Sequence, residues 1–146
     1  MFEPATPMAI LWLLEGYKIK LANKKVLLIG RGKLVGAPLE IILKKQGINP
    51  TIVDQPTTAL SHLVGAADIV ITATSSPGVV TAQMLKPRAV VVDAGVASEE
   101  GRTVGDVDPD VYQRDDIIIT PTKGGVGPLT VCALFENLIK AATTLI

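Results

Sequence analysis

The chain has 146 residues, a length that suits one domain of ordinary size. Hydrophobic residues make up 48% and aromatic residues 3%, while 14 basic and 14 acidic residues cancel to zero net charge. The balance excludes the basic field and stacking platforms of a nucleic-acid binder, the single cysteine excludes an intrachain disulfide, and no apolar run reaches the ~18 residues of a membrane span. Met8 to Leu14 is apolar but short, and Glu3 precedes it where a signal peptide would be basic. A soluble cytoplasmic protein is the expectation, without a nucleic-acid or membrane partner.

Thr6-Pro7 reads as a helix start, with Thr6 as cap and Pro7 at the first helical position. Ile10, Leu11, Leu13 and Leu14 give that helix a buried face, and Gly16 lies near its end. Val26 to Ile29 is an apolar strand that stops at Gly30. A helix from Pro38 to Gln46 buries Leu39, Ile42 and Leu43. Thr51 to Val53 is a second strand, closing on Asp54. Thr57 and Thr58 can cap a helix through Leu60, Leu63 and Val64. Ile69 to Ala73 and Ala89 to Asp93 are strands three and four, with a short helix near Ala82 to Leu85 between them. Gly101 to Val107 reads as a small hairpin or edge excursion, Ile117 to Thr120 as the fifth strand, and Thr130 to Ala142 as a last helix burying Leu134, Leu138 and Ile139.

Strands that are almost wholly apolar need cover on both faces, and their alternation with helices favours parallel pairing through right-handed crossovers. The expected fold is therefore α/β: a doubly wound, mainly parallel, Rossmann-like sheet over residues 1–146, with helices on both faces. In such a sheet the ligand crevice lies at the carboxyl ends of the strands. Those ends are Gly30, Asp54, Ala73-Thr74, Asp93-Ala-Gly95 and Thr120-Pro121. The loop Gly30-Arg-Gly-Lys-Leu-Val-Gly36 has the spacing G-x-G-x-x-x-G, one residue longer than the common dinucleotide fingerprint. Gly30, Gly32 and Gly36 permit close backbone approach to a pyrophosphate, with the positive end of the following helix aimed at it.

Four segments carry a family resemblance. Ile29-Gly-Arg-Gly-Lys-Leu-Val-Gly-Ala-Pro38 resembles the G-R-S-x-x-V-G-x-P loop of methylenetetrahydrofolate dehydrogenase/cyclohydrolase. Val91-Val-Asp-Ala-Gly-Val96 is similar to its D-x-G-I segment, and Val104-Gly-Asp-Val107 to its V-G-D-V segment. Pro121-Thr-Lys-Gly-Gly-Val-Gly-Pro-Leu-Thr130 resembles P-V-P-G-G-V-G-P-M-T, the most specific of the four. Thr6-Pro7 looks like the T-P that opens the family's interdomain helix, here residues 1–22. The resemblance covers only the family's C-terminal cofactor domain. The N-terminal folate domain, with its Y-x-x-x-K motif, is not in this sequence: Tyr17 is followed four places on by Leu21, and Tyr112 by Asp116. The expectation is a piece cut from a longer enzyme, or a naturally reduced homologue.

The resemblance implies oxidation of 5,10-methylenetetrahydrofolate by NAD or NADP, hydrolysis of the methenyl product to 10-formyltetrahydrofolate, and a homodimeric intact enzyme. Folate would be met through the missing domain, so no catalytic residue is assigned here. The cofactor-binding set is Gly30, Arg31, Gly32, Val35, Gly36, Asp54, Gln55, Ala73, Thr74, Gly95, Val96 and Thr130. Arg31 would lie on the adenosine side or pair with a phosphate, against the plainer reading of a solvated Arg. Asp54, 24 residues after Gly30, stands where a carboxylate accepts from ribose hydroxyls and repels a 2′-phosphate. Gly95 and Val96 would border the nicotinamide.

The sequence also departs from the family. Gly32 replaces the usual Ser, Asp54-Gln-Pro-Thr57 stands in the place of H-S-x-T, Lys123 replaces a proline, and Ala5 replaces a Cys. Lys123 reads as solvated, His62 as structural and Cys132 as core filling. Asp106, Asp108 and Asp110 lack the glycine and closing Glu of a calcium loop and read as a surface excursion, not a metal site. The rival readings are a stand-alone NAD(P)-binding or regulatory module without chemistry, and another Rossmann dehydrogenase, against which Pro121 to Thr130 argues.

Overall fold

A computed structural model describes residues 2–54, 57–95, 97–99, 102–122 and 124–144. In chain order the elements are α1 (Ala5–Gly16), β1 (Val26–Ile29), α2 (Gly36–Lys45), β2 (Thr51–Val53), α3 (Leu60–Ala66), β3 (Ile69–Thr72), β4 (Val90–Asp93), β5 (Ala97–Glu99), β6 (Arg102–Val104), β7 (Ile118–Ile119) and α4 (Val126–Thr144). Short 3-10 turns at Ala82–Met84 and Pro109–Gln113 connect strands.

The main sheet runs β2-β1-β3-β4-β7, and every neighbouring pair is parallel. From β1 the chain moves outward to β2, then crosses back to β3 on the other side. This reversal between β1 and β3 is the switch point at which doubly wound sheets bind ligands. Side chains alternate along each strand. Leu27, Ile29, Val70 and Val91 meet Leu60 and Val64 of α3 on one face. Val26, Leu28, Ile69, Ile71 and Val92 meet Ile10 and Leu14 of α1, Leu39 and Leu43 of α2 and Val126 of α4 on the other. Burying a Leu, Ile or Val side chain returns about 1.5–3 kcal/mol, enough for two-sided cover to hold strands only two to four residues long.

Helix termini depart from the sequence expectation. Residue Pro4, with no side-chain hydrogen bond, caps α1 in place of Thr6. The Met8 N–H bonds the Pro4 carbonyl at 3.2 Å, and the helix starts two residues earlier than expected. Gly16 ends α1 as expected, and the left-handed residue beyond it is Lys18, at φ +58°. Helices α2 and α4 each begin before the expected start, at Gly36 and Val126. Pro38 and Pro128 fall in first turns, where the N–H that proline lacks has no intrahelical partner anyway.

Two burial expectations are overturned. Leu134, Leu138 and Ile139 are exposed on α4, together with Val131 and Phe135, and Cys132 is exposed rather than core. Helix α4 packs on α1 and the sheet through Val126, Leu129 and Ala133, and its other sides face outward. His62 is exposed on α3. Of Gly101 to Val107, expected as a hairpin or edge excursion, only Arg102–Val104 is strand (β6), and its antiparallel partner β5 at Ala97–Glu99 lies before the expected span. No helix among the described residues is long and apolar enough to cross a membrane.

Candidate functional site

A crevice of about 1130 Å³ opens at the carboxyl ends of the strands. Gly32 and Val35 line it after β1, Ala73 and Thr74 after β3, Gly95 after β4, and Thr130 on α4, joined by Thr6 from the start of α1. Six of the expected binding residues thus share one cavity. Gly30 and Gly36 do not line it; they pack against the backbone beside it. Gly30 sits at φ +103°, and its N–H bonds the Val53 carbonyl at 2.7 Å. A Cβ on Gly30 would strike the Ala73 carbonyl, and one on Gly36 would strike the carbonyl of Gly30. These glycines let α2 and the β3 exit close on the end of β1. Gly32 differs: a Cβ there meets nothing within 4 Å.

Helix α2 starts at this turn with no capping side chain and no acidic residue in its first turn. Helix α4 begins at Val126, directly after Gly124 and Gly125 on the same cavity, and its first turn also lacks an acid. Two positive helix ends therefore border the crevice, an arrangement that favours an anionic ligand.

The opposite wall is held by two carboxylates. Asp93 Oδ1 accepts from the N–H of Gly95 at 3.0 Å and of Asp106 at 3.1 Å, and its Oδ2 accepts from Val107 N–H at 3.1 Å. Thr72 Oγ1 donates to Asp93 Oδ1 at 3.2 Å. Asp106 in turn accepts the N–H of Thr74 at 2.7 Å and of Ser76 at 3.0 Å. The carboxylate at the end of β4 thus fixes the segment after β6, and the carboxylate on that segment fixes the loop after β3. A Cβ on Gly95 would collide with the Asp106 carboxylate, and one on Gly105 with that of Asp93. This interlock is the physical content of the D-A-G and G-D-V motifs.

Asp106 is fully buried, so its reading as part of a surface excursion is wrong. Burial is the largest cause of its raised pKa; N–H donation from Thr74 and Ser76 opposes the rise, and the Asp93 charge adds to it. Tyr112, beside the crevice, is also raised, by burial first and then by Asp93. Asp108 and Asp110 do stay near the surface: Asp108 caps the turn at Pro109–Gln113, and Asp110 accepts from Ala82 N–H at 3.0 Å. Among the described residues no three His, Cys, Asp or Glu side chains cluster as metal ligands.

Arg31 and Asp54 lie outside the cavity, at the adjoining ends of β1 and β2, and both are exposed. Arg31 Nε donates to Glu40 Oε2 at 2.8 Å. Glu40, Asp93 and Asp106 were not singled out as binding residues in the sequence. Gln55, Val96 and Lys123 fall outside the described residues.

The cradle fits a dinucleotide: a left-handed glycine turn, two helix ends without acids, and a cavity large enough for more than one ring. Known proteins agree. Residues 4–145 match the family model described as tetrahydrofolate dehydrogenase/cyclohydrolase, NAD(P)-binding domain. The bifunctional protein FolD of Desulforamulus reducens is 41% identical over 94% of this chain and 49% of its own length. The bifunctional FolD structure from Campylobacter jejuni superposes with a TM-score of 0.89 at 35% identity, covering 99% of this chain and 52% of that one. The Trypanosoma brucei FolD structure, complexed with NADP cofactor and inhibitor, gives 0.85 at 35% identity over 93% and 49%. The chain spans about half the length of the relatives it matches.

Proposed function

The chain belongs to the family of tetrahydrofolate dehydrogenase/cyclohydrolase NAD(P)-binding domains, and we propose from that premise that it is the dinucleotide-holding half of an enzyme acting on 5,10-methylenetetrahydrofolate. The observation that carries this reading is the crevice itself, with acid-free helix ends on one side and the carboxylate-locked wall on the other. The turn Gly30–Gly36, with Gly32 and Val35, would hold the pyrophosphate. Asp54 and Gln55 would meet the adenosine ribose. Ala73, Thr74, Gly95, Val96 and Thr130 would border the nicotinamide.

When bound, NAD(P)+ supplies the hydride acceptor. This chain's own contribution is orientation: rigid backbone donors and glycine contacts hold the reactants in place. The Asp93–Asp106 interlock keeps the two loops of the nicotinamide side from separating. The start of α1 reaches the same cavity, since Thr130 Oγ1 lies 3.4 Å from Thr6 Oγ1. A folate-binding domain joined ahead of α1 would be delivered to the mouth of the crevice. Acid–base work and folate contacts belong to that domain, and hydrolysis of the methenyl product to 10-formyltetrahydrofolate would follow at the same interface. A homodimeric intact enzyme in the cytoplasm completes the reading.

Titration calorimetry of the 146-residue chain with NAD+ and NADP+ tests it. One-to-one binding of at least one is expected, and absence of both overturns it. A second reading is a binding or regulatory module without chemistry. Supplying a relative's folate domain in trans separates the two, since only the first reading expects oxidation to appear.

A further inference from the structure

Glu40 is a charged residue on a helix, yet it is only 6% exposed. Ionised side chains are rarely buried to this extent unless paired. Both of its oxygens are taken: Oε2 by Arg31 Nε at 2.8 Å and Oε1 by Lys44 Nζ at 2.7 Å. Lys44 and then Arg31 hold its carboxyl below the ordinary range against the opposing effect of burial, so it stays charged at neutral pH.

The position gives this pairing its meaning. Arg31 directly follows the glycine at the end of β1. The bond from Gly30 N–H to the Val53 carbonyl sets it beside the end of β2, where exposed Asp54 follows. In doubly wound sheets this is the rim that meets the adenosine ribose: an acid there receives the 2′-hydroxyl, and an Arg nearby accommodates a 2′-phosphate. Here the Arg is already committed. Its Nε–H is spent on a carboxylate that also counters its charge, and Asp54 adds a second negative charge to the rim.

We propose that Glu40 is a specificity-determining residue, which engages Arg31 from behind and tilts the rim toward a ribose 2′-hydroxyl over a 2′-phosphate. The inference rests on the reading that the crevice holds NAD(P). A plain helix-stabilising role would involve only Lys44, four residues on, and would leave the choice of cofactor alone.

The test is the ratio of the NADP+ and NAD+ dissociation constants for wild type, Glu40→Gln and the double variant Arg31→Gln/Glu40→Gln at one salt concentration. Glu40→Gln should tighten NADP+ about fivefold and change NAD+ less than about twofold. In the Arg31→Gln background the gain should vanish. Glu40→Ala, which keeps a strong helix former, repeats the comparison should the Gln variant fail to fold. Weaker NADP+ binding would mean that Glu40 presents Arg31 to the phosphate, and equal shifts for both cofactors would mean a packing role; either overturns the inference. Failure of the wild type to bind either cofactor would overturn the proposed function itself, whereas intact binding with an unmoved ratio overturns the role of Glu40 alone.

Discussion

The carboxylate of Asp106 receives the backbone N–H of Thr74 at 2.7 Å, joining two loops that lie 32 positions apart in the chain. The bond requires an acceptor, and protonation removes one. Burial raises the Asp106 pKa, with the neighbouring Asp93 charge adding to the rise. Cofactor affinity should therefore fall as pH drops through this raised value, at a higher pH than ordinary carboxylates titrate. The sign for stability is the reverse. A folded pKa above the unfolded one gives a contribution that is complete below the unfolded value and lost as pH rises through the folded value. Asp106→Asn should weaken NAD(P)+ binding about tenfold at neutral pH, because Thr74 N–H and Ser76 N–H bond different carboxylate oxygens and one of these becomes an NH2 that only donates. It should also flatten the pH dependence of both affinity and melting temperature. Calorimetry and thermal melts across the carboxylate range check both parts.

The glycines of the first loop should separate into two classes. Gly32→Ser restores the residue usual in the family at a position where a Cβ meets nothing. It should leave the melting temperature unchanged and tighten cofactor binding three- to tenfold, the return of about one hydrogen bond of ~0.5–1.5 kcal/mol. Gly30→Val should fail at the level of the fold. A β-branched residue at φ +103° is strained, and its Cβ would strike the Ala73 carbonyl. A loss above about 2 kcal/mol is expected in denaturant unfolding. From the sequence this substitution reads as a binding defect in a domain that otherwise folds; the contact with Ala73 moves the effect into the sheet.

Asp54→Ser should move cofactor preference toward NADP+. Asp54 is exposed, so its repulsion of a 2′-phosphate is screened by solvent and salt. Its removal should change the ratio of the two dissociation constants about tenfold at low ionic strength and less as salt rises. A ratio independent of salt would mean that the carboxylate does not face the ribose.

The 146-residue chain should bind cofactor yet not oxidise 5,10-methylenetetrahydrofolate. Its crevice orients a dinucleotide, while proton transfer needs positioned groups from the folate side. Appearance of reduced cofactor with the purified chain alone would refute this.

The sequence makes the sheet legible because each strand is an apolar run with no other way to be satisfied, and β1 and β2 are found where Val26–Ile29 and Thr51–Val53 place them. The glycine turn is legible because Gly30 and Gly36 tolerate contacts that a Cβ forbids. Asp106 and Glu40 are not legible. Each is a charge whose burial is decided by other parts of the fold: the loop after β3 for Asp106, Arg31 and the α2 packing for Glu40. The last helix misleads for a related reason. Periodicity reveals that Leu134 and Leu138 share a face, but only the tertiary structure reveals whether that face is covered.

That uncovered face makes the dissolved chain an amphiphile. Val131, Leu134, Phe135, Leu138 and Ile139 lie along α4, each more than half exposed. Water bordering such a ridge favours any event that removes it: pairing of two molecules, adsorption to an air bubble, retention on a phenyl resin. The melting temperature of the 146-residue chain should then rise with its own concentration, since association of folded chains draws the equilibrium away from the unfolded state. Leu134→Lys with Leu138→Lys should abolish that dependence and sharpen the sedimentation profile to a single slow species. Protein concentration is accordingly a thermodynamic variable in every measurement made on this chain, to be held fixed alongside salt and pH.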